Sequence, residues 1–177
     1  AICSGNLIET SRCGYAAKER IVYTYTVKQQ CFAGSLSIVV GPLVALPETS
    51  TATSAATRST IQKTYFAPPG YVSELAHTTQ RVTGCIAMYE KYLAAPFPYN
   101  TLQVVYVPHE LLCTGMHVAS SLVILSMEYL AREIDVQVSL NARLMQARAL
   151  SVLWFGTYLL PDSESDSWLV QVSKHRR

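Results

Sequence analysis

Ser121 to Met127, read SLVILSM, is apolar on both of its alternating faces and has the length of a strand. Such a segment belongs inside a sheet covered on both sides, because an uncovered face would hold a continuous hydrophobic surface against water. That requirement points to a layered chain of strands and helices, an α/β (α+β) fold. Material for two covering layers is present: half of the 177 residues are apolar and only 15% are charged. Disordered and collagen-like chains are excluded by that balance, since they carry too little apolar surface to offset the entropy of folding. The length suits one medium domain or parts of two, burying roughly 68–70% of the unfolded surface. No run approaches the roughly 18 apolar residues of a membrane-spanning helix. A net charge of +2 argues against a dedicated nucleic-acid clamp.

Residues 1–46 read as β structure. Ile21 to Val27 sets Ile21, Tyr23, Tyr25 and Val27 on one face and Val22, Thr24 and Thr26 on the other. Ser35 to Val40 is a second short strand, between Gly34 and Gly41-Pro42, and Leu43 to Leu46 continues into a third. So few strands form no stable sheet alone and are expected to belong to a larger β layer. Residues 47–60, PETSTATSAATRST, hold almost nothing to bury and read as a solvated linker at a domain boundary or as a long surface loop.

From Pro68-Pro69-Gly70 the pattern turns helical. Val72, Leu75, Val82, Cys85, Ile86, Tyr89 and Leu93 repeat at helix spacing, with Glu74, Gln80 and Lys91 off the stripe. The helix should end before Pro96. Thr101 to Val107 is a strand closed by Pro108. Ser139 can cap a second long helix from about Leu140 to Leu160, whose stretch Leu150 to Phe155 is apolar nearly all round and should lie deep in the core.

Five cysteines (Cys3, Cys13, Cys31, Cys85, Cys113) make an odd count without a CxxC pair, which supports reduced, intracellular thiols over a zinc ribbon or a disulfide framework. No basic-then-apolar leader opens the chain, and a fragment of a larger protein is expected. His109-Glu110-Leu111-Leu112-Cys113 is a cysteine variant of the zinc-binding HExxH string, but Pro108 before it and Gly115 after it leave no long helix to carry it. A loop is the expectation there. Neither GxSxG, GxxxxGK nor GxGxxG occurs, and His77, His109, His117 and His175 are too scattered to argue a triad. The basic close, Lys174-His175-Arg176-Arg177, reads as a solvated tail.

Trp154-Phe155-Gly156, followed by Pro161 and then Trp168-Leu169, resembles the zinc aminopeptidase (gluzincin) family, whose signature runs HExxH-x-WFG…WLNE. Setting WFG on Trp154-Phe155-Gly156 places the two histidine ligands on Arg148 and Val152 and the general-base glutamate on Ala149. The glutamate ligand falls on Gln171, directly after Trp168-Leu169-Val170. The substrate-gripping GAMEN motif falls on Gly115-Met116-His117-Val118-Ala119, with its glutamate position at Val118. Packing residues of the family are thus kept and its chemical ones are absent. Alanine and valine coordinate no metal, and arginine would add a permanent positive charge where a dication should sit. Zinc activates water only when about three protein ligands hold it with one position open, and none of the three remains.

The resemblance extends through Ser4-Gly5-Asn6-Leu7-Ile8-Glu9-Thr10, the strand ending Val40-Gly41-Pro42, Phe97-Pro98-Tyr99 and the strand Leu102 to Val107, in the family's order. GNLIET, IVVGP, FPY and LMQARALSVLWFG are most similar to the aminopeptidase-like TBP-associated factors of the general transcription factor TFIID, which keep the fold and lack the zinc site. The resemblance implies the end of an N-terminal β-sheet domain over 1–46, a linker over 47–60, and the first part of a thermolysin-like aminopeptidase domain over 61–177. It further implies a nuclear, non-catalytic scaffold without metal, cofactor, small-molecule substrate or membrane contact. Its partners would be other TBP-associated factors of TFIID and, through the whole protein, core-promoter DNA. Two alternatives stand: an active zinc aminopeptidase, using His109, Glu110 and Cys113 or ligands elsewhere, and an inactive homologue with an unrelated adaptor role.

Overall fold

The computed structural model describes residues 1–15, 18–48, 61–166 and 168. The first strands are β1 (Ile2–Cys3), β2 (Asn6–Tyr15), β3 (Lys18–Thr26), β4 (Ile38–Val39) and β5 (Val44–Pro47). There follow β6 (Gln62–Ala67), α1 (Val72–Thr79), α2 (Val82–Leu93), β7 (Thr101–Val107), β8 (Met116–Ala119), β9 (Leu122–Ser126) and α3 (Val136–Trp154). The described residues therefore form a mixed α/β structure.

Alternation explains how the central sheet is covered. Its five strands lie in the order β5-β6-β7-β9-β8, with β6, β7 and β9 parallel and the two edge strands antiparallel. On β7, Leu102, Val104 and Tyr106 face one cluster, while Val105 and Val107 face another. On β9, Val123 and Leu125 join the first cluster, and Leu122 and Ile124 the second. Helices supply the first cluster through Leu75, Val82, Ile86, Leu150 and Leu153. The N-terminal strands supply the second through Ile2, Val39 and Leu43. The two-sided burial expected of the SLVILSM segment is found, and it arises because helices cover one face of the sheet and the N-terminal residues cover the other.

The N-terminal β structure forms two small antiparallel pairs, β1 with β4 and β2 with β3. Leu7, Ile8, Ile21, Val22 and Tyr23 of the β2–β3 hairpin stay exposed. Gly5 at φ 95° turns the chain into β2, and a side chain there would collide with the Thr26 carbonyl. Its N–H donates to Ser121 Oγ at 2.9 Å, tying this segment to the central sheet.

Several boundaries differ from the sequence reading, each for a physical reason. The expected domain limit after residue 46 falls inside β5, which pairs with β6 and so belongs to the central sheet. Pro47, read as the start of a linker, ends that strand; proline is tolerated there because an edge strand has no second neighbour to bond. Residues 49–60 of the Ser/Thr/Ala-rich stretch lie outside the described residues. The single helix expected from Val72 to Leu93 is two. Leu75 and Val82 are two turns apart, so the apolar stripe crosses the break unseen. Thr79 Oγ1 donates back to the Leu75 carbonyl at 2.8 Å, a bond that bends helices. Strand β6 was not expected. Ser139 does not cap α3: it lies buried within its first turns, and its N–H donates to the Asp135 carbonyl at 2.9 Å. The helix stops at Trp154 rather than near Leu160. Gly156 turns to φ 152°, Thr157 Oγ1 donates to the Leu153 carbonyl, and the Leu159 N–H donates to that of Trp154.

Candidate functional site

The last turns of α3 enter the core as expected, with Ala149 1% and Trp154 3% exposed. The Trp154 ring meets Phe97 edge-on at 5.1 Å and 79°, and Tyr89 at 5.5 Å and 44°. These separations favour the electrostatic fit of ring edge to ring face. The Phe97 N–H donates to the buried Glu90 carboxylate at 2.9 Å, and the Tyr99 hydroxyl is bonded to Thr157 Oγ1 at 2.9 Å. Two short motifs far apart in sequence, FPY and WFG, therefore share one aromatic cluster. Trp168 is 59% exposed.

β8 packs along α3. Val118, half-buried on β8, joins the cluster that contains Ala149. Arg148 and Val152 stand one turn apart on α3, where side chains four apart share a face. Val152 is 7% exposed. Arg148 is half-buried, and its Nε is buried without a hydrogen-bond partner among the described residues. Gln171 lies outside the described residues. The hydrocarbon side chains of Val118, Ala149 and Val152 offer no lone pair to a metal and no site to hold a proton. Gly115, at φ 71°, starts this edge segment beneath Tyr129; a side chain on it would sit 3.1 Å from the Tyr129 hydroxyl oxygen.

His109 and Glu110 lie in a single 3-10 turn, His109–Leu111, and Cys113 follows it exposed. His109 Nδ1 approaches Glu128 at 3.6 Å, with both groups in water. Among the described residues no three His, Cys, Asp or Glu side chains converge to hold a metal. His117 is instead bonded through Nε2 to Ser37 Oγ at 2.7 Å.

Two buried polar arrangements escaped the sequence reading. Gln146, buried on α3, donates from Nε2 to the Thr78 carbonyl at 3.1 Å and to the Tyr106 hydroxyl at 2.9 Å. Burial pushes the Tyr106 phenol above its ordinary value, and the bond from Gln146 opposes that. The signal was a lone amide in LMQARALSVLW, whose partners could not be named. Replacing it as Gln146→Leu should lower stability by about 1–3 kcal/mol, because two buried acceptors lose their donor. Urea denaturation measures this, and an unchanged midpoint would refute the bond. In the second arrangement, the Glu48 carboxylate faces Lys63 Nζ at 3.4 Å and accepts from Tyr65 and Thr83, each at 2.6 Å. Burial, then the bond to Glu48, drives the Tyr65 phenol far above its usual range. The alternation Lys63-Tyr65-Ala67 of buried residues along β6 was its signal.

No family model matches the chain. Transcription initiation factor TFIID subunit 2 from Gallus gallus is 23% identical to it over 180 residues, a match spanning 97% of this chain. The same match spans 14% of that relative, so the chain corresponds to a small part of its length.

Proposed function

We propose that this chain is part of a non-catalytic scaffold subunit of a TFIID-type transcription initiation complex. The observation that carries the reading is the match to TFIID subunit 2 along 97% of the chain. In this reading residues from β5 onward are the first part of an aminopeptidase-like domain whose zinc site has been lost, and the earlier strands end an N-terminal β-sheet domain. The contact of α3 with the antiparallel edge strand β8 that follows Gly115, and the packing of WFG on FPY, support it. So do the side chains of Arg148, Ala149, Val152 and Val118, which can neither ligate zinc nor move a proton. Gln171 would complete the same silent set. The protein would act in the nucleus by holding other TBP-associated factors and, as a whole, core-promoter DNA. Among the described residues, no helix is long and apolar enough to cross a membrane.

Two measurements test this. Affinity purification of the tagged full-length protein should recover TBP-associated factors; a partner set lacking them would sink the TFIID reading and favour an unrelated adaptor. Dialysed protein should retain no stoichiometric zinc and release no amino acid from aminoacyl anilides. Zinc that survives dialysis, with cleavage abolished by a chelator, would overturn the non-catalytic reading.

A further inference from the structure

The break between α1 and α2 opens a small polar cleft toward the first half of α3. Its cavity, about 140 Å³, is lined by His77, Thr78, Arg81, Ala131, Ser139 and Arg143, among others, with no carboxylate among the described residues of its wall. Arg81 and Arg143 are exposed, and neither guanidinium has an ion-pair or hydrogen-bond partner among the described residues. The neighbouring acids are engaged elsewhere: Asp135 bonds Arg132 at 3.2 Å, and Glu74 accepts from Ser73 Oγ at 2.8 Å. Arg81 also stands at the start of α2, whose first turn carries no acidic residue and whose end has no side-chain cap. The negative end of α1 meets the positive end of α2 at this break, so the lining side chains set the local charge.

The walls are held in place. Thr78 Oγ1 accepts from the Ala131 N–H at 2.9 Å, His77 Nδ1 lies 3.2 Å from the Ala131 carbonyl, and Gln146 holds the Thr78 carbonyl. Two guanidinium groups bordering one recess suit an anion with several acceptor oxygens. A cavity on the order of 150 Å³ takes one molecule about the size of benzene. That is room for a tetrahedral oxyanion and its ester atoms, and too little for a nucleoside. A duplex backbone presents a row of phosphates, whereas this is a single recess.

We propose that this cleft binds a phosphate group, esterified or free, through Arg81 and Arg143. The phosphate could come from a phosphorylated side chain of a partner protein or be free in solution, and the test separates the two. The full-length protein and its R81Q/R143Q variant are titrated calorimetrically with inorganic phosphate, a Gly-phosphoserine-Gly peptide, its unphosphorylated twin and duplex DNA. Both phosphate ligands should bind the wild type, the unphosphorylated peptide should not, and the variant should lose roughly tenfold or more in affinity. Thermal unfolding of the two proteins in phosphate-free buffer should coincide, since both arginines are exposed. Tighter binding of the phosphopeptide than of phosphate identifies a modified protein as the source; the reverse identifies free phosphate. Absence of phosphate binding, equal binding by wild type and variant, or a variant defect confined to DNA would overturn the proposal.

Discussion

Trp154→Ala is expected to lower the unfolding free energy by about 3–5 kcal/mol, the range for truncating a large aromatic in a packed core. The indole touches Phe97 and Tyr89 and ends the helix that fills the space between α2 and the sheet. Its removal leaves a cavity bounded by α2, α3 and the segment after Ala94, none of which can close without moving the others. The polar atom of the ring makes a sharper prediction possible. Trp154 Nε1 is buried without a hydrogen-bond partner among the described residues. Trp154→Phe therefore loses contact area but no bond, and it relieves an unsatisfied donor. It should cost well under half as much as the alanine change. Urea denaturation of the full-length protein and both variants gives the comparison. Equal losses for the two would show that the indole nitrogen has a partner after all.

Removing the Glu48 carboxylate is the second large effect. Lys63 has 6% and Glu48 18% of its side chain exposed, so the pair is shielded from water on most sides. Breaking a buried pair from one side typically costs about 3–5 kcal/mol, because the remaining charge stays buried without its counterion. Partial access of water to Glu48 puts Glu48→Ala at the low end, about 3 kcal/mol. Among the described residues Lys63 then keeps only the Thr83 hydroxyl, 2.6 Å from its Nζ, and the Tyr65 hydroxyl loses its acceptor. Pairing the change with Lys63→Met should recover most of the loss, since two hydrocarbon side chains fill a similar volume without desolvation. A double variant no more stable than Glu48→Ala would show that packing, and not the stranded charge, sets the cost. Because Glu48 follows β5, Lys63 lies on β6 and Thr83 on α2, the variants also report how firmly the edge of the sheet is stitched to the helical layer.

What could be read before folding depended on how local the cause was. β7 matches the strand expected from Thr101 to Val107, and β9 lies within SLVILSM, because alternation along a few residues suffices to define a buried strand. The burial of Leu150, Leu153 and Trp154 was legible for the same reason: a helix apolar on every side has no face for water. β6 and β8 were not. Lys63 and Thr64 interrupt the first with polar side chains, and His117 the second, and only pairing with β5, β7 and β9 makes them strands. The division of the first helix likewise hid behind an apolar stripe that continues in register across the break.

The amino-acid order alone determined which atoms stand at positions 118, 148, 149 and 152, and no fold can lend a lone pair to alanine or valine or neutralise a guanidinium. It also determined that two strands and one helix end must be hidden from water. Tertiary structure alone decided that Lys63 meets Glu48, that Gln146 meets Tyr106, and that two arginines border one recess. Hydrophobic burial is set by surface area and can be summed along the chain. Hydrogen bonds and ion pairs depend on distance and angle between groups from remote segments, and those exist only once the layers have packed.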